Sequence, residues 1–149
     1  MFDWVKNYLH DRTQYTFVNG IKSSVSKISF GVPQGSVLGP LLFLVYVNDM
    51  YRATSEATPK LFADDTNLFI VADNLNDLST RTNKCLDNIY QWCLANRLTI
   101  NLDKTNYTVF SPSRKTSIDN IHIYIGKVRI QYTTCYKYLG ILIDHKLDW

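Results

Sequence analysis

Cysteine is scarce in this 149-residue chain: Cys85, Cys93 and Cys135 are the only three, and no two stand at C-x-x-C spacing. Three thiols cannot all pair, so the pattern excludes a disulfide framework and a zinc site and reads as structural thiols in a reducing compartment. Long hydrophobic runs are lacking too. The longest, Val37 to Val47, is broken by Gly39 and Pro40 and falls short of the ~20 residues a membrane span needs. The opening Met1-Phe2-Asp3-Trp4-Val5-Lys6 is charged and amphipathic, which does not suit a secretory signal. No internal repeat, low-complexity tract or linker interrupts the chain, so residues 1–149 read as one domain, intracellular and without a membrane partner.

What is present describes a folded protein. Hydrophobic residues make up 46% and aromatics 13%, enough apolar surface to bury a core. The net charge of +3 permits a nucleic-acid partner without requiring one. Its distribution is uneven. Residues 1–60 hold six Lys/Arg against four Asp/Glu, residues 61–103 three against six, and residues 104–149 seven against three. An acidic middle between basic ends suits metal ligands beside a phosphate-binding surface.

Hydrophobic spacing supplies the elements. Trp4, Val5, Tyr8 and Leu9 predict a short opening helix. Asn19-Gly20 between β-prone runs predicts a hairpin within 14–30. Gly31-Val32-Pro33-Gln34-Gly35 is a loop, and Pro40 suits the first position of a helix running to about Arg52. That helix is apolar nearly all round, so burial is expected. Leu61–Ala63 and Leu68–Val71 read as strands, with Asp64-Asp65-Thr66-Asn67 as the turn between them. Leu75, Leu78, Cys85, Leu86, Ile89, Trp92 and Cys93 trace one face of a long helix, with Asn74 as N-cap and Asn96 as left-handed terminator. Strands are expected near 98–101 and 107–110, then a polar loop over 111–117. A hairpin over 121–132 turning at Gly126-Lys127 comes next, and a last extended stretch covers 136–143.

Two adjacent aspartates between hydrophobic strands admit two readings. An Asp-Asp pair alone is most often a solvated turn. It is also a hard-cation site, since Mg²⁺ takes oxygen ligands from one or two carboxylates and shares the rest with water and phosphates. In two-metal nucleotidyl transfer one ion activates the attacking oxygen and the other steadies the leaving pyrophosphate.

The preceding string decides between them. Gly31-Val32-Pro33-Gln34-Gly35-Ser36-Val37-Leu38-Gly39-Pro40-Leu41-Leu42-Phe43, then Tyr46, Asn48 and Asp49, resembles the template- and nucleotide-positioning motif of reverse transcriptases. It is most similar to that of non-LTR (LINE-type, jockey-like) retrotransposons. Phe62-Ala63-Asp64-Asp65 resembles the Tyr/Phe-x-Asp-Asp box of the same family. Trp4, Tyr8-Leu9 and Arg12-x-Gln14 are similar to its lead-in segment. The stretches from Trp92 to Thr105 and from Tyr138 to Trp149 resemble its lysine-bearing and primer-contacting segments.

The resemblance implies an α+β right-hand polymerase palm, an antiparallel sheet with the helices near 40–52 and 75–95 on one face, truncated at both ends. It implies Asp64 and Asp65 as ligands of Mg²⁺ (Mn²⁺ as an alternative ion), with Phe62 packed beneath their turn. Lys104 would protonate or neutralise the departing pyrophosphate, unless it is simply a solvated lysine. Gly31, Pro33, Gln34 and Gly35 would lie against nucleotide and template. Tyr138, Leu139 and Gly140 would hold the primer end, or else form an ordinary core strand. The implied partners are an RNA template, a DNA primer, deoxynucleoside triphosphates and the missing fingers and thumb segments of the same polymerase. The compartment is nuclear or cytoplasmic, nuclear by family analogy only. The family's third carboxylate comes from a strand upstream of Trp4, so the fragment by itself is expected to be inactive. The alternative function is a catalytically inactive remnant or a recruited nucleic-acid-binding module.

Overall fold

The computed structural model describes residues 2–29, 31–33, 35–111, 118 and 120–147, with Phe2 by its backbone alone. Gln34, the polar loop beyond Ser111 and Trp149 lie outside the described residues. The chain divides into two compact units, 1–47 and 48–149.

The first unit opens with α1 (Phe2–Leu9), as its spacing predicts. A two-stranded ribbon follows. β1 (Thr13–Gln14) pairs antiparallel with β4 (Ser26–Lys27), and β2 (Phe17–Val18) with β3 (Ile21–Lys22). Asn19 and Gly20 both take positive φ, 50° and 81°, the signs a type I′ hairpin turn demands. The unit closes with α2 (Leu38–Val47). This helix begins two residues before the expected Pro40 and stops five before Arg52. Ser36 Oγ accepts from the Gly39 N–H at 3.0 Å and so starts the helix early. Pro40 remains in the first turn, where its missing N–H costs nothing. The expectation of burial fails as well: Leu41 is 56% and Val45 67% exposed. The eight-residue α1 covers only one stripe of α2. Trp4, Val5 and Tyr8 face Leu38, Leu41 and Leu42 across an apolar hollow of about 560 Å³.

The second unit is organised on α3 (Leu75–Ala95). Asn74 caps its start, accepting from the Asp77 N–H at 2.9 Å. Its end corrects the expectation. Asn96 is not left-handed (φ −91°); Arg97 is, at 54°. The Leu98 N–H bonds the Cys93 carbonyl at 2.8 Å and the Arg97 N–H the Leu94 carbonyl at 3.1 Å, which is a Schellman motif. Asn96 instead donates its side-chain amide to the Trp92 carbonyl.

Two clusters pack on α3. In one, Cys85, Ile89 and Cys93 join Met50 of a 3₁₀ turn (Met50–Ala53) and take Leu61, Leu68 and Ile70 against them. Burial pushes both the Cys85 and Cys93 thiols up from their ordinary pKa. In the other, Ile121, Ile123, Ile125 and Ile130 pack with Leu75, Leu86 and Tyr90. Asn83 fastens this second cluster. It donates to the His122 carbonyl at 2.9 Å and accepts from the Tyr124 N–H at 2.8 Å, so a side-chain amide stands where a strand neighbour would.

The remaining elements are short. A 3₁₀ turn covers Leu102–Lys104, and no strand forms at 98–101. β5 (Thr58–Phe62) pairs with β6 (Asp65–Phe69). β7 (Asn106–Tyr107) pairs in parallel with β10 (Gln131–Tyr132). β8 (Tyr124–Ile125) and β9 (Val128–Arg129) form the expected hairpin. β11 (Cys135–Tyr138) and β12 (Ile141–Asp144) form another, so the stretch 136–143, expected to be extended throughout, reverses at Leu139-Gly140. Helix and strand are thus mixed as expected. The single antiparallel sheet is not: among the described residues the strands pair in twos, and one pair is parallel. Most are two residues long, and such strands lack the width to carry a ladder onward on both edges.

Candidate metal and nucleic-acid site

Strand register places the two aspartates differently from the sequence reading. Phe62 pairs with Asp65, so the turn is only Ala63-Asp64, and Asp65 through Asn67 already belong to a strand. Ala63 closes it at φ 51°, the left-handed region that a first central residue of a two-residue hairpin occupies. For alanine that conformation costs about 1 kcal/mol or more.

Alternation then sorts the faces. Pro59 and Leu61 are half-buried while Thr58, Lys60 and Phe62 are exposed, and Leu61 and Leu68 pack onto the α3 cluster. Asp65, directly across from Phe62, lies on the outward face. Phe62 is 59% exposed, so it does not pack beneath the turn; the half-buried Leu61 is the residue that seats it. Asp64 and Asp65 are both exposed. Among the described residues neither carboxylate has a hydrogen-bond or ion-pair partner, and no group of three or more His, Cys, Asp or Glu could hold a metal ion.

The base of the hairpin is held far more firmly than its tip. Glu56 lies two residues before β5 and Val71 two after β6. Arg81, from the middle of α3, donates through Nε to Glu56 Oε2 at 3.0 Å and through Nη1 to the Val71 carbonyl at 2.6 Å. Lys84 Nζ reaches Glu56 Oε1 at 2.8 Å. The hydrogen bonds from Lys84 and then Arg81 hold the Glu56 carboxyl below its ordinary pKa. One turn of helix therefore grips both ends of the ribbon that presents the aspartates. Sequence reasoning missed this clamp, because residues 25 apart leave no local signal.

The other candidates lie on other elements. Lys104 ends its 3₁₀ turn exposed, and no ion pair joins it to either aspartate. Tyr138, Leu139 and Gly140 sit at the β11–β12 turn, where Leu139 and Gly140 take φ 47° and 90°. In the first unit, Gly31 and Gly35 have φ 82° and 76°, yet a Cβ on either would meet nothing within 4 Å. Backbone conformation, not crowding by the protein itself, selects glycine there. Pro33 accepts from Ser36 Oγ at 2.7 Å, which ties the loop to α2. Gly39 is the crowded position: a Cβ would lie 2.9 Å from Ser36 Oγ and 3.3 Å from the Pro33 oxygen. Ser36 and Gly39, absent from the sequence-derived site, are what brace this loop. A serine three residues before a helix N–H was the available clue.

The family model described as reverse transcriptase (RNA-dependent DNA polymerase) matches residues 1–143. The chain belongs to the reverse transcriptase family. Among curated relatives, this reverse transcriptase segment is 34% identical, over 97% of its length, to the RNA-directed DNA polymerase from mobile element jockey of Drosophila melanogaster. It is 31% identical, over 99% of its length, to the probable RNA-directed DNA polymerase from transposon X-element of the same fly. The jockey polymerase of Drosophila funebris is 28% identical over the full chain. The segment spans only 16 to 17% of the length of these relatives. No solved structure matches it. Among the described residues no helix is long and apolar enough to cross a membrane.

Proposed function

We propose that this chain is palm sequence of a non-LTR retrotransposon reverse transcriptase and that Asp64 and Asp65 are protein ligands of its catalytic Mg²⁺, with Mn²⁺ able to substitute. The observation that carries the reading is the pair of unpartnered carboxylates at the tip of a hairpin clamped at its base. Carboxylates free of protein partners keep their oxygens for a hard cation, and a firmly held base fixes where those oxygens stand. The bound ions would supply charge neutralisation at the transferring phosphate and an activated attacking oxygen. Lys104 neutralises or protonates the departing pyrophosphate. Gly31, Pro33, Gln34 and Gly35 position nucleotide and RNA template, and Tyr138, Leu139 and Gly140 hold the DNA primer end. A third carboxylate is contributed from outside these 149 residues.

Mn²⁺ titration followed by NMR tests the assignment. Broadening centred on the Asp64 and Asp65 amides and removed by Asp64→Asn with Asp65→Asn is expected. Template-primer binding with no Mn²⁺ effect at these amides would instead identify a non-catalytic nucleic-acid-binding module. The 149-residue chain alone is expected to give no steady primer extension, and extension abolished by Asp64→Asn would overturn that expectation.

A further inference from the structure

The ribbon between α1 and the glycine-proline loop takes no part in the site above, yet its surface is distinctive. Every residue from 11 to 27 is exposed. Residues 12–28 contain Arg12, Lys22 and Lys27 and not one Asp or Glu. The backbone is nonetheless well paired: beyond the two ladders, Ser23 N–H bonds the Thr16 carbonyl and Ile28 N–H the Arg12 carbonyl, both at 2.9 Å.

Register sorts its faces. Val18 pairs with Ile21 on one side, and Phe17 with Lys22 on the other. Lys22 Nζ stands 3.9 Å from the centroid of the Tyr15 ring, which brings Tyr15 to the Phe17–Lys22 face. Tyr15 is 54% and Phe17 64% exposed. Next to Tyr15 lies a polar hollow of about 190 Å³ lined by Gln14, Thr16, Ser23, Ser24 and Ser26. Ser23 Oγ is committed there, accepting from the Thr16 N–H and donating to the Ser24 carbonyl. The side chains of Gln14, Thr16, Ser24 and Ser26 have no partner among the described residues.

We infer that this face docks single-stranded RNA. Exposed rings offer stacking to unpaired bases, which every base can use. Lys22 supplies positive charge for phosphates, as does Lys27, although Asp11 at 2.9 Å partly offsets it; Arg12 is turned back onto α1, its Nε donating to the Tyr8 carbonyl at 2.8 Å. The amide and hydroxyls of the hollow can exchange hydrogen bonds with ribose 2′-OH groups. A duplex hides its base faces from the rings. A lipid surface would dehydrate the hydroxyl hollow at a cost. The choice of RNA over DNA rests on the RNA-directed reading proposed above; the docking face itself does not.

Fluorescence anisotropy of the full 149-residue chain with a labelled 12-nucleotide oligouridine tests the assignment without metal or primer. Tyr15→Ala and Phe17→Leu should each weaken binding about tenfold, whereas Phe17→Trp retains it and Val18→Ala on the opposite face leaves it unchanged. Lys22→Gln should lower the slope of log affinity against log salt by about 0.7. Asp64→Asn should have no effect, which separates failure of this inference from failure of the metal assignment. Three results would overturn it: affinity insensitive to Tyr15→Ala and Phe17→Leu in chains with unchanged circular dichroism, oligothymidine bound as tightly as oligouridine, or heparin or phosphatidylserine vesicles bound as tightly as RNA.

Discussion

Arg81 donates to Glu56 at 3.0 Å, joining the middle of α3 to the segment that leads into the aspartate hairpin. A helix and a two-stranded ribbon are thereby tied together by polar as well as apolar contacts. The Glu56 carboxyl is held below its ordinary pKa, so its ionised form stabilises the folded state. That contribution is complete above the ordinary value of 4.5 and is lost as pH falls through the lower folded value. Thermal melts between pH 7 and 3 should show a loss of stability in the acid range that Glu56→Gln reduces. Equal acid slopes in the two proteins would show that the clamp carries no such linkage.

Ala63 sits at φ 51° in the turn that presents Asp64. Ala63→Gly relieves that strain, against the greater freedom glycine has in the unfolded chain. A net gain of about 0.5 to 1 kcal/mol in urea unfolding is expected, together with faster amide exchange at the hairpin tip. A loss of stability would mean that the alanine is not strained.

Gly39 and Ser36 brace the glycine-proline loop against α2. Gly39→Ala forces a methyl against Ser36 Oγ and the Pro33 oxygen and should cost about 1–3 kcal/mol. Ser36→Ala removes a cap and should cost about 1 kcal/mol. Limited proteolysis near residues 31–37 should accelerate in both. Because the two act on one contact, the double substitution should cost less than the two losses combined.

Asn83 substitutes for a strand neighbour of the 122–124 segment. Asn83→Leu leaves the Tyr124 N–H and the His122 carbonyl without that partner, and a loss of about 1–3 kcal/mol is expected. Hydrogen exchange at Tyr124 should rise more than at Ile89, which belongs to the other cluster. Uniform exchange would show that the amide does not hold the 121–130 hairpin in place.

The residue string alone determined a good deal about this protein. Local signals were legible: Asn19-Gly20 named its turn, Asn74 its cap, and the spacing from Leu75 to Cys93 its buried face. Each depends on neighbours within a few positions, and backbone sterics and helical period act at that range. The glycine-proline string and Phe62-Ala63-Asp64-Asp65 likewise named the family that the comparisons bear out.

Only the tertiary structure decided the rest. The strand pairing of Phe62 with Asp65 shortened the turn to Ala63-Asp64 and turned Phe62 outward. The coverage available to α2 left Leu41 and Val45 exposed despite their hydrophobicity. Among the described residues strands paired two by two where one sheet was expected, and the grip of Arg81 on Glu56 and Val71 appeared with no local trace. Register, coverage and long-range ion pairs are set by which segments meet in space. Apolar periodicity says that a residue prefers burial; it does not say whether a partner arrives to bury it.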